Sequence, residues 1–139
     1  MNTDTHGSLL QHETLTKDVI GSAFDVLNGL GHGLHEKPYE NALVIELGLR
    51  ALDVAQQNQY EISYKGSSVG LFIPDLIIEN TVVVDTKVID PIGDNEVGQM
   101  MNYLRITKLK IGLILNFKHP KRQWKRVVLG VLESVSIRG

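Results

Sequence analysis

Apolar positions along this chain change period twice, and the changes divide it into elements. From Thr16, Val19, Ile20, Ala23, Val26, Leu27 and Leu30 recur at helical spacing. Gly29-Leu30-Gly31-His32-Gly33 ends that helix, because glycine accepts the left-handed backbone just past a helix terminus. A second helix begins near Pro38 and carries Ala42, Leu43, Leu47 and Ala51 on its apolar stripe. The pattern then predicts three strands: Val54 to Tyr64, polar and near an edge; about Gly70 to Ile78; and about Thr81 to Val88, with a tight turn around Asn80 between the last two. In these last two strands both parities are apolar. Leu71, Ile73 and Ile77 point one way and Phe72, Leu76 and Ile78 the other, so the sheet must be covered on both faces, by helices. Pro91-Ile92-Gly93 breaks the chain. A third helix over about Asn95 to Thr107 turns Val97, Met100, Met101 and Leu104 inward. A buried strand from Lys110 to Phe117, a turn at His119-Pro120 and a last strand from Arg126 to Ser136 follow. The order α-α-β-β-β-α-β-β predicts an α/β domain with a central mixed sheet flanked by helices. Residues 1–14 read as a flexible N-terminal tail and 15–139 as one domain without repeat or linker.

Two charged insertions break the apolar strands. One is Pro74-Asp75 and the other Asp85-Thr86-Lys87, following Val82-Val83-Val84. Packing gives no reason for these charges, and buried carboxylates are costly unless paired or bound to a cation. Asp85 and Lys87 share one strand face while Thr86 takes the other. A loop of Glu79-Asn80-Thr81 sets Asp75 across from Asp85, with Cβ atoms about 5 Å apart. A two-residue loop at Glu79-Asn80 sets Val84 there instead and dismantles the site. In the first register two like charges face each other, and a hard divalent ion, Mg²⁺ or Mn²⁺, would relieve the repulsion by taking Asp75, Asp85 and the backbone carbonyl of Thr86 as oxygen ligands. Such an ion acidifies a bound water and stabilises charge growing on phosphate, and Lys87 stands where it can orient that water or help deprotonate it. Pro74 lacks a donor, so the strand bulges or splays there. The competing reading is a plain salt bridge between Lys87 and one aspartate.

Composition narrows the choices. The chain has 139 residues and no cysteine, which removes disulfides, thiolate metal sites and cysteine nucleophiles. No apolar run approaches the roughly 20 residues that span a bilayer. The start of the chain has no apolar signal-like core, so a cytoplasmic location is expected. The net charge of −2 hides an asymmetry: Arg105, Lys108, Lys110, Lys118, Lys121, Arg122, Lys125 and Arg126 lie in a stretch that holds no acid. Such a stretch can steer a polyanion or can be a solvated face. Neither a P-loop nor a GxGxxG fingerprint is present, and the five histidines lack zinc-ligand spacing.

Pro74-Asp75 followed by Asp85-Thr86-Lys87 resembles the PD-(D/E)xK signature of the restriction-endonuclease-like nucleases, and the strand-turn-strand context and α-β-β-β-α-β core order resemble it too. Gly33-Leu34-His35-Glu36-Lys37-Pro38-Tyr39 is similar to the GxxExxY pattern of a bacterial family assigned to that superfamily, and Gln99-Met100-Met101-Asn102-Tyr103 resembles the QxxxY element of RecB-like nucleases. The resemblance spans roughly residues 15–130. It departs at Asp85, where glutamate is usual; the shorter arm would draw a metal nearer the strand.

The resemblance implies divalent-metal-dependent hydrolysis of nucleic acid, DNA before RNA. Asp75 and Asp85 would hold Mg²⁺ or Mn²⁺, Lys87 would position the water, and Glu36 would be a third, helix-borne acid. Glu36 could equally serve the helix dipole, and Glu40, one turn on, is its rival. Gly33 is expected to take a positive φ that aims Glu36, and Tyr39 to pack or, as the alternative, to hydrogen-bond within the site. Gln99 and Tyr103 share a helix face turned either to the site or to solvent. Lys108, Lys118, Lys121, Arg122, Lys125 and Arg126 would track the substrate backbone, and Trp124 among them either stacks on a base or anchors the last strand. A homodimer is expected if both strands of a duplex are cut. The rival functions are a non-catalytic nucleic-acid-binding module and a protein-interaction module on the same fold.

Overall fold

The structure is a computed structural model and describes residues 2–121 and 123–129, with side chains from residue 12 onward. Helix α1 (Asn2–Leu30) and helix α2 (Glu36–Leu49) come first, then strands β1 (Val54–Gln56), β2 (Tyr60–Tyr64), β3 (Ser67–Phe72), β4 (Leu76–Ile78) and β5 (Val82–Lys87). Helix α3 (Asp94–Thr107) leads to β6 (Ile111–Asn116) and β7 (Gln123–Val128). A five-stranded mixed sheet runs in the order β1-β4-β5-β6-β7, parallel only between β5 and β6, and β2 and β3 form a separate antiparallel hairpin. This is the α/β architecture that the alternating patterns predict.

Burial follows the parity of the strands. Val82 and Val84 of β5, with Leu76 and Ile78 of β4, pack against Val19, Ala23, Leu43 and Leu47 of the two N-terminal helices. Val83 and Ile77 project the other way, onto Met100 and Leu104 of α3. Helix α3 lies close to the sheet because Gly112 leaves room; a Cβ there would collide with the Met100 thioether. Its first turn is fixed by the Gly93 amide donating to Glu96 Oε1 at 2.7 Å, and Asp94 and Glu96 complement the helix dipole.

Four boundaries differ from the sequence pattern. Helix α1 begins at Asn2 instead of Thr16. The predicted strand from Val54 to Tyr64 is two strands in two different sheets, parted by Gln57 at φ 59°. The predicted strand from Gly70 to Ile78 breaks at Ile73-Pro74-Asp75, since Pro74 cannot donate to a ladder. The last strand begins at Gln123, and the part of it predicted beyond Leu129 lies outside the described residues. Among the described residues no helix is long and apolar enough to cross a membrane.

Candidate active site

The site grows from the β4–β5 hairpin. Glu79 and Asn80 turn the chain with φ of 52° and 49°, and the Thr81 amide closes the turn on the Ile78 carbonyl at 2.9 Å. Ile78 pairs with Val82 and Leu76 with Val84, which is the three-residue-loop register. One step further Asp75 stands across from Asp85, just where Pro74 has ended the ladder. Asp85 faces α3, because it shares parity with Val83, and Asp75, beyond the end of β4, lines the same cavity as Asp85 and Tyr103.

The two aspartates are held differently. Asp75 Oδ2 accepts hydrogen bonds from the Thr86 amide and the Thr86 hydroxyl, both at 2.8 Å. Asp85 instead meets Lys87 Nζ at 3.4 Å, with the two side chains 18% and 21% exposed. Burial pushes the Asp85 carboxyl up to about 7; Lys87 opposes the shift, and the neighbouring Asp75 adds to it. Burial also works against the Lys87 ammonium, but Asp85, then Tyr103 and Glu36, outweigh it and leave the lysine above its ordinary range. Lys87 is therefore a cation at neutral pH. The salt-bridge reading and the site reading thus coexist: the lysine is paired, and the acids still repel.

Helix α3 completes the wall. Gln99 Oε1 lies 3.5 Å from Lys87 Nζ. Tyr103 stacks on Phe72 of the hairpin with ring centroids 3.9 Å apart, and burial followed by the Asp85 charge raises its phenol. Phe72, Ile73, Pro74, Asp75, Asp85 and Tyr103 border a cavity of about 120 Å³. Of the two orientations open to the Gln99–Tyr103 face, the structure has the one turned to the aspartates.

The two glutamates of α2 separate clearly. Glu36 reaches the far end of β5, where its Oε2 accepts from the Val88 amide at 3.3 Å. Glu40 is 3% exposed and turns elsewhere: its Oε2 accepts from Gln56 Nε2 and Gln57 Nε2 at 2.8 Å and from Lys37 Nζ at 3.1 Å. Burial raises the Glu40 carboxyl, but these donors outweigh burial and bring it below the usual range. Gln57 also donates its amide to the Asp75 carbonyl at 3.1 Å, so Glu40 braces the backbone of Asp75 from behind. Tyr39 packs, as expected: it is fully buried, stacks on Phe117 at 4.6 Å, donates to the Gly31 carbonyl and accepts from the Leu34 amide. With Gly33 at φ +104°, that clamp sets the start of α2 and so the position of Glu36.

Sequence reasoning passed over Asn116 and Gln123. Asn116 Nδ2 donates to the carbonyls of Ile89 and Asp90 and to Gln123 Oε1, while its Oδ1 accepts from the amides of Ile89 and Lys118. Gln123 Oε1 takes the Ile92 amide as well. The pair shapes the loop that follows Lys87. The available signal was one amide ending the apolar run Ile111–Leu115.

The basic residues do not form one track. Lys118 is paired with Asp90 at 3.1 Å. Lys125 aligns through Ile114 with Asp85, whereas Arg126 aligns through Leu113 with Val84, so they project from opposite faces of the sheet. Lys108, at φ 63°, caps α3, Lys121 is exposed, and Arg122 lies outside the described residues.

Among the described residues no group of three or more histidines, cysteines or acids is gathered for a metal ion. The pair Asp75 and Asp85 nonetheless suits a hard divalent cation. Both line one small cavity, and Asp85 is raised chiefly by burial and further by Asp75, whose repulsion a dication would cancel. Mg²⁺ in particular is often bound through one or two carboxylates and keeps several waters.

Comparison with known proteins gives a family match. A model described as the PD-(D/E)XK nuclease superfamily matches residues 13–127. No curated protein matches the sequence. The crystal structure of SSO0001 aligns with a TM-score of 0.46 at 14% identity, covering 88% of this chain and 81% of that one, too slight a likeness to carry an argument.

Proposed function

The chain belongs to the PD-(D/E)XK nuclease superfamily, and from that premise we propose that it hydrolyses phosphodiester bonds of nucleic acid, DNA in preference to RNA, with Mg²⁺ or Mn²⁺. One observation carries the reading: Asp75 and Asp85 face one cavity beside Lys87, and Asp85 is raised to about 7 by burial and by Asp75. Asp75 and Asp85 would hold the ion, with the Thr86 carbonyl and Glu36 as further oxygens. The ion, when bound, supplies charge stabilisation at phosphate and a more acidic water.

The chain's own groups do the rest. Thr86 fixes one oxygen of Asp75 through two hydrogen bonds, which orients the carboxylate. Lys87, kept charged by Asp85, positions the attacking water and the growing negative charge rather than taking a proton. Gln99 orients the Lys87 ammonium, and Tyr103 closes the apolar side. The water oxygen bonds to phosphorus and gives up a proton to solvent, the ester P–O bond breaks, and the leaving oxygen picks up a proton from solvent. The Gly33, Glu36 and Tyr39 pattern supports a place in the GxxExxY family, and a homodimer suits cleavage of both strands of a duplex.

The test is cleavage of single-stranded, duplex and branched DNA and of RNA with Mg²⁺, Mn²⁺ or chelator, alongside Asp75→Ala and Lys87→Ala. Metal-dependent cleavage lost in both variants supports the reading. A wild-type protein that cuts none of these substrates, while both variants bind DNA as it does, overturns it.

A further inference from the structure

The β2–β3 hairpin leaves the main sheet at a fork, and Asp75 sits in it. Strands β1 and β4 pair with each other in the main sheet, β2 and β3 pair with each other outside it, and residues 57–59 and 73–75 carry the chain across. The β1–β4 ladder ends at Gln56 opposite Leu76, and the β4–β5 ladder ends at Leu76 opposite Val84, so Asp75 lies just beyond both. Pro74 before it has no amide to give. A bond from the other side spans the fork: the Gln57 amide donates to the Asp75 carbonyl at 3.1 Å.

Gln57 makes that bond from an unfavourable conformation. Its φ of 59° lies in the left-handed region, where the Cβ of any residue but glycine crowds the backbone. Such a conformation persists only where the surroundings impose it, and it concentrates at functional sites. Here the side chain is anchored: Gln57 Nε2 reaches α2 and donates to Glu40 Oε2 at 2.8 Å. Glu40 is buried and accepts from Gln56 and Lys37 as well, so the anchor is a fixed point. Hydrogen bonds to a charged acceptor are stronger than neutral ones, which suits a side chain that must hold its own backbone in strain. A glycine would take this φ freely but would bring no side chain to Glu40.

We propose that Gln57 is a positioning residue for Asp75: pinned to Glu40, it holds the left-handed turn that aims its amide at the Asp75 carbonyl, and so fixes the main chain from which the Asp75 carboxylate reaches Thr86. Asp75 is then held at both ends, its carbonyl by Gln57 and its carboxylate by Thr86. The value of that precision for binding an ion rests on the nuclease reading, whereas the positioning itself does not.

The Thr86 amide donates to the Asp75 carboxylate, so its proton reports on Asp75 with no metal present. The full chain is compared with Gln57→Val, Gln57→Glu and Gln57→Gly by amide resonances and hydrogen exchange in chelator, then by calorimetric titration with Mn²⁺. Valine resists a positive φ and has no donor for Glu40; glutamate keeps the length but repels Glu40; glycine keeps the turn without strain. In the first two variants the Thr86 amide is expected to shift upfield and to exchange about tenfold faster, while the amides of Leu113 and Ile114 in the buried strand β6 keep their rates. Gln57→Gly should leave Thr86 close to the wild type. Affinity for Mn²⁺ should follow the same order, about tenfold weaker in the first two variants. A Thr86 amide unmoved in either Gln57→Val or Gln57→Glu overturns the proposal. So does a loosening shared by Leu113 and Ile114, or one equally large in Gln57→Gly, since either would make Gln57 a general stabiliser. A wild-type chain that takes up no Mn²⁺ removes the nuclease reading instead, and the positioning role is then decided by Thr86 alone.

Discussion

Glu40 and Asp85 are both withdrawn from water, and the fold treats them in opposite ways. Glu40, 3% exposed, gathers three donors and sits below the usual carboxylate range. Asp85 has one lysine and a second acid, and it is pushed up to about 7. Burial penalises both charges; the difference lies in what surrounds them. The surroundings of Glu40 are complete, and it acts as a brace. Those of Asp85 are short of positive charge, which is the condition under which a carboxylate pair takes up a cation. Desolvation alone therefore does not mark a reactive acid; an unbalanced partner set does.

The strongest way to break the comparison is to remove the groups around Asp85. Lys87→Ala and Asp85→Asn are each expected to lower cleavage by about a hundredfold or more while leaving nucleic-acid binding within a few-fold, read by single-turnover cleavage and by anisotropy in chelator. Comparable cleavage in either variant would place the chemistry elsewhere.

Glu40→Ala should act on stability instead. It removes the acceptor shared by Gln56, Gln57 and Lys37, and a loss of about 1–2 kcal/mol is expected by urea denaturation, with cleavage falling only as Asp75 loses its support. Glu40 also has a pH signature. Its folded-state pKa is lowered, so its contribution is full above the ordinary glutamate value and is lost as pH falls through the depressed one. Glu40→Gln should flatten that acid limb of the stability curve.

Asp85 predicts the reverse slope. Its folded-state pKa lies above its unfolded value of 3.8, so the native state holds a proton that the unfolded chain gives up. Stability from this group therefore falls as pH rises from about 4 to about 7 and is level beyond. In chelator, Asp85→Asn should melt roughly 5 °C higher than wild type at neutral pH and show little advantage at acid pH. An unchanged melting temperature would mean that the aspartate carries no burden. The smallest effect expected is at Gln99: Gln99→Ala should cost a few-fold in cleavage rate and nothing in stability, because its 3.5 Å contact to Lys87 is long and exposed.

Much of this was legible along the chain. Burial on both faces of β4 and β5 follows directly from residues that are apolar at both parities, and Pro74 ends its strand for want of an amide donor. The motif residues Asp75, Asp85 and Lys87 stand out because charge interrupts apolar strands. The roles of Glu36 and Glu40 were not legible, since one turn of helix separates them and both are acids. Only the packing of α2 against Gln56 and Gln57 distinguishes them. The basic stretch is likewise divided by the fold: neighbours in a strand, such as Lys125 and Arg126, leave on opposite faces.

By itself the sequence determined which positions are apolar, where proline and glycine interrupt, and which charged side chains have no packing rationale; these are local properties, set by residue type and period. Only the tertiary structure decided that Asp75 confronts Asp85, that Gln99 and Tyr103 of α3 turn to the same cavity, and that Glu40 is saturated while Asp85 is not. Those outcomes depend on the register of a hairpin, the close approach of α3 over Gly112, and the donors that distant segments bring to a buried oxygen. No single stretch of chain encodes them.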